Sequence, residues 1–237
     1  MKALLLNSGT GSRMGSETKD KPKCMVKISE TETILSRQIR LLLNAGITEF
    51  VITIGPFEDV IPNHVKEGFP NLSVTYVRNE VYDKTNYIYS MYLAKEYIQD
   101  DLILLHGDIV LEDMVLLKLL YDQRKNLAVI DSQAVLPEKD FKCVMQNGYI
   151  TEIGINPVGR GKQAFLLPVY KLSREFMGKW LDEIHAFVEE GTTKVYAENA
   201  FNRISAQMFL ETFELDGMFC MEVDTLDDLA IARGKLA

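Results

Sequence analysis

Cysteine, histidine and tryptophan are scarce in this chain of 237 residues, which holds three, three and one of them. Cys24, Cys143 and Cys220 are far apart, odd in number and without paired metal-ligand spacing, which argues against a disulfide framework or a zinc site and fits a reducing cytoplasm. Cys24 lies in a basic stretch, but no His or acid stands close to it in sequence, so a small packed side chain is a better reading than a nucleophile. Positive charge is also in deficit: 26 Lys and Arg against 34 Asp and Glu leave a formal charge of -8. That balance argues against nucleic-acid binding, which needs a basic surface to displace counterions. No apolar run approaches bilayer length, and the apolar residues after Lys2 stop at Asn7, too soon for a signal-peptide core. No membrane is expected, and a cytoplasmic location is. Internal repeats, low-complexity tracts and Pro-rich, Ser-rich or charged linkers are lacking too, so 1–237 reads as one domain with halves at 1–130 and 131–237.

What is present is concentrated at the beginning. An apolar strand, Lys2 to Leu6, runs into a loop with Gly9, Gly11 and Gly15 and then Arg13, Lys19, Lys21, Lys23 and Lys27. Glycines let a backbone turn sharply and approach a ligand, successive N–H groups form an anion nest, and Arg offers a planar fork to phosphate oxygens. The pattern reads as a phosphate cradle. It is not the dinucleotide fingerprint, because the spacing Gly-x-Gly-x-x-x-Gly is one residue too long and no helical pattern opens at Gly15. Nor is it a P-loop, since no Gly-Lys-Ser/Thr follows.

Periodicity predicts alternating strands and helices through the first half: helices over Thr33 to Ala45, Phe57 to Lys66, Asn86 to Ile98 and Leu111 to Arg124, and strands over Phe50 to Ile54, Leu72 to Val77, Leu102 to Leu105 and Leu127 to Ile130. The second half predicts a hairpin, Lys142 to Met145 and Tyr149 to Ile153, around Asn147-Gly148, then a strand over Ala164 to Val169. Helices follow over Glu175 to Glu190 and Ala197 to Phe209, then a strand over Phe219 to Val223 and a short helix capped by Asp224 or Thr225. The fold class is α/β, a Rossmann-like three-layer α/β/α arrangement with a mostly parallel mixed sheet and a small β-hairpin insertion. Trp180, mid-helix among apolar neighbours, belongs to the core.

Ligands of open α/β sheets bind beyond the carboxyl ends of the strands. Two such ends carry acids: His106-Gly107-Asp108, and Glu222 with Asp224. Carboxylates there, near a phosphate cradle, can hold Mg2+, although Asp108 could also serve a turn and Asp224 a helix cap. His106 reads as an orienting or packing residue, because a phosphate nucleophile carries no proton to be removed near neutral pH.

Leu6-Asn7-Ser8-Gly9-Thr10-Gly11-Ser12-Arg13-Met14-Gly15 followed by Lys21-Pro22-Lys23-Cys24-Met25-Val26 resembles the signature of the sugar-phosphate-type nucleotidyltransferases, L-A-A-G-x-G-[ST]-R-[LM] then K-P-K-x-[ML]. Asn7 and Ser8 stand where the family has alanines, a departure that alters the floor of the base pocket. Gly107-Asp108 and Glu222-Val223-Asp224 match the family's metal-carboxylate positions. The stretch Asn79 to Glu96 is similar to that of the small cytidylyltransferases, which join CMP from CTP to phosphocholine, 2-aminoethylphosphonate or a like acceptor. The resemblance implies a nucleotide site at Leu6, Asn7, Ser8, Gly9, Thr10, Gly11, Ser12, Arg13, Lys23, Asn86 and Ser90, with Lys23 and Arg13 catalytic and Mg2+ on Asp108, Asp224 and Glu222. Residues 1–130 would then bind the nucleotide and 131–237 the acceptor, where Phe141, Tyr170, Glu198 and Asn199 are candidates; with Arg160 and Lys162 beside the aromatics, a zwitterionic or anionic acceptor fits at least as well as choline. Partners are a nucleoside triphosphate, CTP favoured, and a small phosphorylated molecule; a homodimer is allowed. A sugar-1-phosphate nucleotidylyltransferase using UTP or another triphosphate is the neighbouring alternative. Alternatives of other kinds are a non-catalytic nucleotide-binding module and a Rossmann oxidoreductase.

Overall fold

Along Lys2–Asn7 (β1) the side chains alternate between two cores, Leu4 and Leu6 entering one and Ala3 and Leu5 the other, as the period of two of a strand covered on both faces requires. The computed structural model describes residues 1–9 and 11–236, and for Ser12 the backbone alone. After β1 come short 3-10 turns at Ser12–Thr18 and Lys23–Met25, then α1 (Ile34–Asn44), β2 (Glu49–Ile54), α2 (Val60–Gly68), β3 (Ser73–Arg78), α3 (Tyr87–Ala94) and β4 (Leu102–His106). There follow β5 (Ile109–Leu111), α4 (Asp113–Tyr121), β6 (Leu127–Asp131), β7 (Lys142–Gln146), β8 (Tyr149–Gly154), β9 (Lys162–Leu172) and α5 (Arg174–Glu189). The chain closes with α6 (Ala197–Ile204), β10 (Glu211–Glu214), β11 (Cys220–Glu222) and α7 (Leu226–Leu236).

A nine-stranded mixed sheet has the order β3-β2-β1-β4-β9-β6-β10-β8-β7. Its first four strands are parallel, and β9 runs antiparallel between β4 and β6. Apolar residues of α1, α2 and α4 pack on one face, among them Leu35, Ile39, Leu42, Ile61, Val65, Leu116 and Leu119. Those of α3, α5 and α6 cover the other, with Trp180 fully buried and its indole donating to the Ala197 carbonyl. Each such Leu or Ile contributes about 1.5–3 kcal/mol by leaving water. The predicted hairpin is β7–β8, whose turn places Asn147 at φ 52 and Gly148 at φ 87, the left-handed pair that a two-residue turn needs.

Three differences from the expected elements bear on the site. The segment after Gly11 is not a plain loop but a 3-10 turn, pinned by Met14, which is fully buried with Val26, Ile28, Val110, Val223 and Leu229. The helix expected from Leu111 starts at Asp113, because Ile109–Leu111 is drawn out as a strand against β11. The helix expected to reach Phe209 ends at Ile204, and Glu211–Glu214 becomes a strand parallel to β6 with Phe213 as its buried contact. Such short strands exist only through their partners, so periodicity does not announce them.

Candidate active site

The parallel register of β1 and β4 pairs Leu6 with His106, so Asn7 and the Gly107-Asp108 turn emerge side by side at the carboxyl edge. Gly107 donates its N–H to the Leu6 carbonyl at 3.0 Å, and a Cβ there would overlap both that oxygen and the Asn7 Oδ1. Only glycine fits. Antiparallel pairing of β5 with β11 sets Glu222 opposite Ile109, and Val223 N–H donates to the Asp108 carbonyl at 2.9 Å, which carries Glu222 and Asp224 to the same place. Thr225 and Asp228 bond reciprocally at the start of α7, so Asp224 is released from the capping role that the sequence allowed it.

Lys23 closes the group. Its ammonium donates to Asp108 Oδ2 at 2.7 Å and to Asp224 Oδ1, while Arg13 pairs with Asp224 Oδ2 at 2.8 Å. Burial opposes the charge on Lys23, but Asp108 and Asp224 outweigh it and hold the ammonium above its ordinary range. Burial likewise opposes the charge on Asp108, yet Lys23 and His106 keep its carboxyl below the usual range. Glu222 goes the other way: burial first, then Asp108, Asp140 and Asp224, lift its carboxyl well above that range. Among the described residues His106, Asp108 and Glu222 offer ligand atoms that lie within 4.8 Å of one another. Burial lowers the His106 pKa, and its ring packs edge-on to Tyr87 at 4.6 Å.

These groups border a cavity of about 360 Å³. Leu6, Asn7, Ser8, Gly9, Gly11, Arg13, Lys23, Asn86, Asp108, Phe141, Glu222 and Asp224 all line it. Thr10 and the Ser12 side chain lie outside the described residues. Ser90 does not line the cavity; it bonds to Ser8 Oγ at 2.6 Å and accepts from Asn79 at 3.0 Å, tying the start of the loop to α3. Glycines beside Arg13 and Lys23, with carboxylates clustered next to them, together suit transfer between phosphates.

Residues 3–189 match the family model described as MobA-like NTP transferase domain. The chain belongs to this family. The transferase is 29% identical over 262 residues to CTP:phosphoglutamine cytidylyltransferase of Campylobacter jejuni, covering 99% of this chain and 100% of that one. It is 29% identical over 119 residues to CMP-5'-(3-aminopropyl)phosphonate synthase of Streptomyces rubellomurinus, a match to 50% of this chain and 19% of the relative. Among solved structures, that of CTP:phosphocholine cytidylyltransferase from Streptococcus pneumoniae superposes with a TM-score of 0.80 at 21% identity, over 100% of this chain and 99% of the other. The chain is thus an enzyme of the nucleotidyltransferase class with the Rossmann-like fold of that class.

Of the four residues expected to meet an acceptor, Phe141 lines the cavity and the other three are placed elsewhere. Tyr170 is fully buried and donates to Glu198 Oε1 at 2.9 Å; Glu198, also buried, takes the Tyr87 hydroxyl on its other oxygen. Both are therefore used up beneath the cavity rather than lining it. Asn199 accepts from the Tyr196 N–H at 3.0 Å as part of the α6 cap. Arg160 and Lys162 are not among the lining residues either. Tyr87, Tyr196, Lys139 and Asp140 line it beside Phe141, with Phe141 edge-on to Tyr196 at 5.0 Å. No local signal separates Tyr196 from Tyr170; only the packing of α6 does. Gln38 was also missed: fully buried on α1, it donates to the His106 and Ile109 carbonyls, each at 2.9 Å, and so grips the turn that bears Asp108.

Proposed function

We propose that this enzyme joins CMP from CTP to a small phosphorylated alcohol or phosphonate, releasing pyrophosphate, with Mg2+ as cofactor. The observation that carries the proposal is the meeting of Lys23, Asp108 and Asp224, from three distant stretches of chain, on one side of a cavity bordered by the Gly-rich loop. The named activities of the two relatives, both formation of CMP adducts of phosphorus compounds, support the choice of base and acceptor.

An ionised phosphate or phosphonate oxygen attacks the α-phosphorus and pyrophosphate leaves in line. No general base is needed, because the attacking oxygen is already ionised near neutral pH, and His106 serves instead as packing against Tyr87. Arg13 and the N–H groups of the loop neutralise the triphosphate tail; Lys23 offers its ammonium to the α-phosphate and the incoming oxygen. The residues present fit Mg2+: Asp108 Oδ1 and Glu222 Oε1 are buried without a partner among the described residues, and the donors are hard carboxylate oxygens. Asp108, Glu222 and Asp224 would hold the ion, which supplies Lewis-acid stabilisation of phosphate charge when bound. Phe141, Tyr196 and Tyr87, with Lys139 and Asp140 beside them, give the acceptor end an aromatic wall bearing one charge of each sign, which suits a zwitterionic acceptor.

Pyrophosphate release with CTP, Mg2+ and a panel of phosphocholine, 2-aminoethylphosphonate and other phosphorylated acceptors tests the proposal. Lys23→Ala is expected to lose about a thousandfold or more in kcat while remaining folded. Near-normal turnover in that variant, or release with UTP and none with CTP, would overturn it.

A further inference from the structure

Gln38 is 1% exposed on α1 and does not line the cavity, yet it is bonded to the stretch that carries Asp108. Its amide nitrogen donates to the His106 carbonyl and to the Ile109 carbonyl, each at 2.9 Å. Those two carbonyls bracket Gly107 and Asp108. Other groups of the turn are held by backbone, Gly107 N–H by the Leu6 carbonyl of β1 and the Asp108 carbonyl by Val223 N–H just after β11. On the α1 side the grip is a side chain, and the pairing of β5 explains why. An antiparallel strand turns successive carbonyls to opposite edges. Asp108 gives its carbonyl to Val223, so those of Ile109 and Leu111 point away from β11 and meet α1. Gln38 takes the first and Arg37 the second, at 2.8 Å.

A carboxamide suits the first of these places, because one nitrogen offers two N–H donors where an ionised glutamate of the same shape offers none. The oxygen of that amide is buried with no partner among the described residues. An unpaired buried acceptor costs about 1–3 kcal/mol, so Gln38 is a poor choice for stability alone and a good one for fixing two carbonyls at once. What those bonds fix is the place of Asp108, whose Oδ2 meets the Lys23 ammonium at 2.7 Å. We propose that Gln38 is a positioning residue of nucleotidyl transfer, which clamps the carbonyls on either side of Gly107-Asp108 and so holds the Asp108 carboxylate in register with Lys23 and the metal ion. The inference rests on the reading of Asp108 as a metal-holding group and is independent of the base and the acceptor.

Gln38→Met keeps the length of the side chain and removes both donors. Arg37→Met is the comparison: it frees a carbonyl of the same strand beyond the turn and also breaks the ion pairs to Glu32 and Asp113. Both variants are expected to melt below wild type, so turnover is measured well below either midpoint. In Gln38→Met, kcat is expected to fall about tenfold to a hundredfold with KM for the nucleotide little changed, because Gln38 bonds to neither the glycine loop nor Arg13. Arg37→Met keeps both constants. Mn2+ binding, read from the electron paramagnetic resonance signal of the free ion, weakens about tenfold in Gln38→Met and is unchanged in Arg37→Met. Gln38→His, which keeps one N–H donor, is expected to fall between and carries the test if Gln38→Met does not fold. Near-normal kcat and Mn2+ binding without the Gln38 amide, or equal losses in the Arg37 variant, would overturn the inference. Turnover by wild type with another nucleotide would sink the cytidylyl reading and leave the same ratios, taken with that nucleotide, to judge Gln38. A wild type without turnover sinks it too and leaves Mn2+ binding as the judge; one that also binds no Mn2+ overturns both.

Discussion

Lys23 and Cys24 are neighbours with opposite fates, and the difference lies in where a 3-10 turn points each side chain. Lys23 reaches the two carboxylates, whereas Cys24 is 2% exposed in the core beneath α1 and β1. Burial also lifts the other thiols, Cys143 to about 12, and the same cause raises Cys24 and Cys220. A neutral thiol is a poor nucleophile. Native protein is therefore expected to resist iodoacetamide near neutral pH and to take up label at all three positions once denatured. Rapid labelling of Cys24 in the native protein, read by mass spectrometry, would contradict its packing. At this scale the glycines, Arg13, Lys23 and the acids that come together at the cavity were legible in the sequence, because each residue type carries its own chemistry. Tyr170, Glu198 and Asn199 were not, since a tyrosine or glutamate in the sequence does not say whether it faces a ligand or another side chain.

Among the elements, α1 does the most to position the site. Thr33 caps it with Ser36 in a reciprocal pair, Gln38 grips the turn before β5, and Arg37 donates to the Leu111 carbonyl at 2.8 Å. Glu32 braces this from below, accepting from Arg37 at 3.2 Å and Arg40 at 2.6 Å, and both arginines also reach Asp113 on α4. Burial pushes the Glu32 carboxyl up, but Arg40 and Arg37 outweigh it and hold it below its ordinary range. A lowered folded-state pKa stabilises fully above the unfolded value, about 4.3, and the contribution is lost as pH falls through the folded value. Glu32→Gln should thus cost about 1 kcal/mol at neutral pH and nothing in strong acid. Urea unfolding of both proteins across that range checks it; a difference independent of pH would contradict it. The helix itself was readable from its apolar spacing, its hold on the turn that bears Asp108 was not.

Over the whole molecule, the sheet supplies the platform and a small separate unit completes the site. Among the described residues β11 pairs with β5 and no other strand, and Val223, Leu229 and Ala232 pack with Met14, Val26, Ile28 and Val110. Among the described residues no helix is long and apolar enough to cross a membrane. Truncation after Gly217 removes Glu222, Asp224 and half of that third core while leaving the nine sheet strands. The truncated chain is expected to keep a strand-rich circular dichroism spectrum, to melt earlier, and to release no pyrophosphate; retained turnover would show that the carboxylates of the last segment are dispensable. By itself the sequence determined the alternation of strands and helices, the hairpin at Asn147-Gly148, the loop and the acids at strand ends, because each of these is written in local periodicity or residue chemistry. Only the tertiary structure decided that Asp224 meets Lys23 across 201 positions and that Tyr196 rather than Tyr170 lines the cavity. Those outcomes depend on which buried surfaces pack together, and packing is a property of the folded chain that no short stretch of sequence contains.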